Sequence, residues 1–309
     1  MTLDQWARRH PRLFEGGIRL DRAPAGAWLA LQAAALAPTW AWMVRRLGDG
    51  ADDPLGLLAL AALAVLAWHQ RGALRAAPRL GWLALAGAGT VAATLLRTGV
   101  GALPALPPLA AALIAVLALA AGLLAFLPRQ LARLPVIGLA VLALPLLSSL
   151  QFYAGYPLRL VTAEASRWLL APFFTVLREG SSLLVDGRLV IVDAPCSGVQ
   201  MAWFGYFCAC VVALWARHGD QRFLGRLPAV GLLVLAGNVL RNSVLVGFEG
   251  AGRALAPWLH QALGLAVLAG VCGAVACLMA PARRRPAPSP GVADLITAPG
   301  ARHVDTALS

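Results

Sequence analysis

The sequence predicts an all-α polytopic membrane protein. It should have about eight transmembrane helices, with a short outer-face amphipathic helix and a β-hairpin before the sixth span. Three observations predict this. First, 60% of the 309 residues are hydrophobic, only 13% are charged, and the mean hydropathy is +0.73. A water-soluble fold cannot hide that much apolar sequence, so the solvent for it is lipid. Second, the apolar residues come in runs near the ~20 residues needed to cross a hydrocarbon core. Third, the charges fall in short loops between the runs, alternately rich and poor in Arg. The formal net charge is +12, and all the basic residues are Arg. A basic total can signal nucleic-acid binding, but this loop placement is that of a membrane topology, so no nucleic-acid partner is expected.

The predicted spans run approximately over 25–44, 54–69, 80–98, 104–127, 135–152, 196–215, 228–248 and 258–280. The opening stretch, MTLDQWARRHPRLFEGGIRLDRAPAG, is long, mixed in charge and followed by a full-length apolar segment. It reads as a cytoplasmic tail over residues 1–24, not as a secretory signal. Arg-rich segments recur at Arg8 to Arg22, Arg71 to Arg79, Arg129 and Arg133, Arg217 to Arg226, and Arg283 to Arg285. Poorer loops lie between them. One carries Arg45 and Arg46 offset by Asp49, Asp52 and Asp53, one carries Arg97, and one sets Arg253 against Glu249. This alternation puts both termini in the cytoplasm. The segment 281–309, rich in Pro, Ala and Gly, reads as a disordered tail, which leaves 25–280 as the membrane domain. Five Cys in such a chain do not suggest a disulfide scaffold.

The loop 153–195 lies outside by this topology and carries ordered-structure signals. Over 161–178, Trp168, Leu169, Phe173 and Leu177 fall near one helical face, with Arg167 and Arg178 available to headgroups. That pattern suits a helix lying on the membrane surface. The following LLVDGRLVIV has two β-prone runs around Asp186-Gly187, a pair preferred in a type I′ hairpin turn.

Three positions stand out chemically. Cys196, in VIVDAPCSGVQ, follows Pro195 at the start of the sixth span. Free N–H groups and the positive dipole end at a helix start favour the thiolate, which is the nucleophile. The competing reading is a small apolar filler. Cys208, Cys210, Cys272 and Cys277 fit that reading, lying roughly 18 Å or more from the outer ends of their helices. Arg241 lies inside the seventh span in LAGNVLRNSVLVGF, with Asn238 on the same face and Asn242 beside it. Charge within a span is costly and points to function, against the alternative that Arg241 snorkels to headgroups about 9 Å away. His260 begins the eighth span. Alone it would be an interfacial histidine. The topology, however, brings all three to one membrane face: a thiol, a guanidinium and an imidazole. That set serves acyl transfer as nucleophile, oxyanion stabiliser and proton carrier.

The same residues carry a family resemblance. Cys196-Ser197-Gly198 at a helix start, Asn238-Val239-Leu240-Arg241 in the next span and His260 at the start of the one after resemble the exosortase/archaeosortase family. LPLLSSLQFYAGYPLR (144–159) and DDPLGLLALAALAVLAW (52–68) are similar to further family stretches, so the resemblance covers most of 25–280.

The resemblance implies a membrane cysteine protease or transpeptidase. Its substrates would be exported proteins bearing a C-terminal signal, made of a short motif such as Pro-Glu-Pro, a spanning helix and a basic cluster. Its catalytic residues would be Cys196, Arg241 and His260, with Asn238 orienting Arg241. Tyr153, Tyr156 and Arg159 are candidates for substrate contact, with an aromatic-belt role as the alternative for the tyrosines. The set needs no cofactor and no metal. The expected location is a bacterial cytoplasmic membrane, with the active site facing the exterior. A transporter or a handler of lipid-linked glycans, with Arg241 on phosphate, is the alternative. An idle scaffold is a third reading.

Overall fold

Each of the eight apolar segments holds a helix in the computed structural model, which describes residues 24–48, 54–99, 105–191, 198–253 and 255–280. In chain order the helices are α1 (Ala25–Ala35), α2 (Ala37–Gly48), α3 (Leu55–His69), α4 (Leu80–Thr98), α5 (Pro108–Phe126), α6 (Leu134–Leu142) and α7 (Leu147–Leu170). The strands β1 (Val176–Glu179), β2 (Ser182–Val185) and β3 (Arg188–Ile191) follow, then α8 (Val199–Trp215), α9 (Asp220–Gly250) and α10 (Pro257–Met279). Helices α5 and α10 open on proline, whose missing N–H costs nothing at that position.

Two segments expected as straight spans are broken. The first, expected over 25–44, turns by 62° at Leu36 and continues to Gly48. Pro38 lacks the N–H that would carry the helical ladder across the break. The fifth, expected over 135–152, stops at Leu142 and resumes at Leu147 in a direction 95° away. Pro145 has no N–H to donate and biases Leu144 away from helix. Trp203 Nε1 donates to the Leu142 carbonyl at 3.1 Å, satisfying an acceptor near the break. By length and composition α4, α5, α9 and α10 can each cross a membrane, and the two bent pairs bring the number to six. Helices α3 and α8, of 15 and 17 residues, are apolar but shorter. Eight spans are reached only if these two cross as well.

Among the described residues, the Arg-rich segments gather at one end. Asp220, in the first turn of α9, accepts from the backbone N–H groups of Arg133 and Leu134 at 2.7 and 2.9 Å, supplying the cap that α6 otherwise lacks. Arg79, before α4, donates to the carbonyls of Leu124 and Leu127 at the end of α5. His218, buried between α8 and α9, contacts the Met279 carbonyl at 2.6 Å. The ends of α5, α8 and α10 and the starts of α4, α6 and α9 therefore share one side. Burial, together with repulsion from Arg133, Arg75 and Arg129, pushes the Arg79 pKa below its usual value.

At the other end stands a sheet in the order β1-β2-β3, antiparallel throughout. The hairpin at Asp186-Gly187 forms as expected, with φ of +47° and +81°, both in the left-handed region that a type I′ turn requires. Strand β1 is an addition. The expected helix over 161–178 ends at Leu170, and Val176 already belongs to the sheet. The segment 153–195, expected outside, therefore begins as the last three-quarters of α7. Trp168, Leu169, Phe173 and Leu177 remain exposed. The other face of α7 packs on α9. Leu183, Val185 and Val190 of the sheet pack with Leu170, Val176 and Val246. Glu164 ties sheet to helix by pairing with Arg167 at 2.6 Å and Arg178 at 2.7 Å.

Residues 1–23 and 281–309, expected as tails, lie outside the described residues.

Candidate active site

In an apolar helix a buried polar side chain is costly unless it is paired. Of the seven buried polar or charged side chains among the described residues, five lie between α7 and α9: Thr162, Ser166, Asn238, Asn242 and Ser243. Two rungs link the helices. Asn238 Nδ2 donates to Thr162 Oγ1 at 3.0 Å, and Asn242 Nδ2 donates to Ser166 Oγ at 2.9 Å. On each helix the partners are four residues apart, so they stack on one face, and the equal spacing fixes the register of α7 against α9.

Asn238 also faces α8. Gly198, the residue preceding that helix, has φ of +83°, a conformation that favours glycine. A Cβ there would stand 2.8 Å from Asn238 Cγ and 2.9 Å from its Nδ2, so the amide lies flush on the Gly198 backbone. Cys196 and Ser197 lie outside the described residues; Gly198 is the first described residue after them.

Arg241 is half-buried and faces α10. A Cβ on Gly264 would stand 3.2 Å from its Nε and 3.4 Å from its Nη2, so the guanidinium rests on the helix backbone where no side chain intervenes. His260, also half-buried, is four residues closer to the start of α10 and on the same side as Gly264. Helix α9 continues to Gly250, so Arg241 sits about 14 Å from its C-terminal end, farther than the expected helix end near Gly247 implied. Asn238 and Arg241, three residues apart, thus bridge the start of α8 on one side and the first turns of α10 on the other.

The remaining residues expected at the site lie along α7. Tyr153 and Tyr156 are exposed. Arg159 is half-buried, with its guanidinium carbon 5.8 Å from the Tyr156 ring centroid. An apolar cleft of about 390 Å³ opens beside α9, lined by Leu169, Phe173, Leu240, Val244 and Phe248 among others, and Arg241 is not part of its lining. Outside the site, Cys208 donates to the Cys272 carbonyl at 3.5 Å, and Cys210 is buried against Gly138. Both fit the reading of small apolar fillers.

Sequence reasoning did not single out Thr162, Ser166 or Gly264. The signal available for the first two was the matched four-residue spacing of Thr162 and Ser166 with that of Asn238 and Asn242.

Apolar helices, Arg-rich loops collected at one end and a polar seam toward the other define a multi-pass membrane protein with a buried polar site. The family profile of transmembrane exosortases matches residues 42–277. The chain belongs to that family, which is known for sorting transpeptidases. No curated protein and no solved structure matches it.

Proposed function

We propose that this protein is a cysteine peptidase or transpeptidase that cleaves a C-terminal sorting signal, of the Pro-Glu-Pro type, from exported proteins at the outer face of the cytoplasmic membrane. The observation that carries the reading is the seam around Asn238 and Arg241. It touches Gly198, two residues after Cys196, and Gly264, one turn from His260. The gathering of Arg-rich segments at the opposite end supports cytoplasmic termini and an outward-facing site.

In this mechanism the Cys196 thiolate attacks the scissile carbonyl carbon, forming a C–S bond as the carbonyl electrons move to oxygen. Arg241 stabilises that oxyanion. On collapse the C–N bond breaks, and His260, having taken the thiol proton, returns it to the leaving amine. Water, an amine or a glycan-linked acceptor then attacks the thioester and releases the thiol. Asn238 holds Arg241 in place. Tyr153, Tyr156 and Arg159 contact the signal, Arg159 through an acidic side chain.

The test is maturation of a co-expressed protein carrying such a signal, followed as a mass shift on a gel. Cys196→Ala should abolish processing and Cys196→Ser should nearly do so, because a hydroxyl is far too weak an acid for a site tuned to thiolate. Cys208→Ala and Cys272→Ala should process normally. Normal maturation by Cys196→Ala, in cells lacking a second such enzyme, would overturn the proposal.

A further inference from the structure

We infer that Thr162 is a positioning residue of this site, acting through Asn238 on Gly198 at the start of α8. The inference rests on the peptidase reading above and extends it to a helix that contributes no reacting group. Thr162 is fully buried, and its Oγ1 accepts from Asn238 Nδ2 at 3.0 Å. An asparagine side chain can turn its amide about the last torsion, which is broad and two-fold. The bond to Thr162 holds the amide at one setting of that torsion, with its nitrogen toward α7. The same amide lies flush on Gly198, within 2.9 Å of where a Cβ would stand. Turning or withdrawing it would therefore alter the surface against which the start of α8 is seated. Ser166 and Asn242 repeat the bond one turn outward and keep α7 from sliding along α9.

A hydroxyl buried only for packing would behave differently from one that orients an amide, and Thr162→Val separates the two. Valine has nearly the same shape and lacks the acceptor, while Thr162→Ser keeps the acceptor and loses a methyl. Two readouts are taken on the full-length protein in its membrane. The first is the kcat and KM for cleavage of a signal-bearing reporter. The second is the rate of alkylation of Cys196 by a maleimide, in a background where Cys208, Cys210, Cys272 and Cys277 are Ala.

Thr162→Val should lower kcat about tenfold with KM little changed, and should change the Cys196 alkylation rate several-fold. Thr162→Ser should stay within about twofold of the parent in both. Unchanged kcat and alkylation in Thr162→Val would overturn the inference. Equal losses in the valine and serine variants would overturn it too, since they would mark a packing role. The alkylation readout needs no substrate. If Cys196→Ala still matures the reporter, the peptidase reading falls, while the link from Thr162 to the start of α8 is still decided by alkylation.

Discussion

Two seams in this molecule set side-chain amides between apolar helices, and they do it differently. In the first, Gln32 of α1 reaches toward α4 and α5, donating to Thr90 Oγ1 at 3.2 Å and to the Ala118 carbonyl at 2.8 Å. In the second, Asn238 and Asn242 of α9 meet Thr162 and Ser166 of α7. The partners of Gln32 have other bonds. Thr90 donates its own hydroxyl to the Ala86 carbonyl at 2.8 Å, and Ala118 belongs to a continuous helix. Gln32 is glue added to a contact made mainly by small residues, as where Gly89 approaches Ala118. The second seam stacks five buried polar side chains in one place and sets a cation beside them. Glue does not require that density. On the proposed reading, the first seam places polarity for stability and the second places it for chemistry.

The largest effect that sharpens the contrast is expected at Arg241. Arg241→Lys keeps the charge and loses the planar fork that rests on Gly264. Reporter cleavage should fall by about a hundredfold, the scale of losing one oxyanion donor. Expression and detergent melting should change little, because a lysine stem can lie along the same open backbone at Gly264. Wild-type turnover in this variant would remove Arg241 from the chemistry and make the second seam structural like the first.

A smaller loss is expected from Gly198→Ala. Its φ of +83° costs an alanine about 1–2 kcal/mol, and the added methyl would press on Asn238 Cγ from 2.8 Å. Cleavage should drop about tenfold, with a fall of a few degrees in melting temperature. If melting falls while kcat stays unchanged, the Gly198–Asn238 contact is packing alone.

Part of the second seam was legible beforehand, and the illegible part has a physical cause. Arg241 and Asn238 stand out in an apolar run because their side chains cannot satisfy themselves within their own helix. Thr162 and Ser166 do not stand out, because hydroxyls can bond back to their own helix and so are cheap in any span. Gly264 is equally silent, since glycine is frequent in membrane helices. In the fold, the hairpin was carried by Asp186-Gly187 and the β-prone run on either side of it. Strand β1 depends on a partner, β2, that lies across a turn at Gly180, so the run of Phe173 and Leu177 read equally well as the face of a helix. The 95° break after Leu142 follows from Pro145, but apolar residues on both sides of it kept the run looking like one span.

The smallest predicted effect breaks or secures the first half of the comparison. Gln32→Met keeps the length of the side chain and removes both hydrogen bonds. Thr90 retains its bond to Ala86, and the Ala118 carbonyl retains its place in the helical ladder, so no buried group is orphaned. Side-chain hydrogen bonds between membrane helices average about 0.6 kcal/mol, so melting in detergent should move by only a few degrees. Turnover of the reporter should match the parent, because α1 touches neither α9 nor α10 to any substantial extent. Loss of turnover in Gln32→Met at normal expression would mean that the two seams are coupled through α5 and α6, and the division between stabilising and catalytic polarity would fail. A large stability loss with normal turnover would keep the division but make Gln32 a structural anchor.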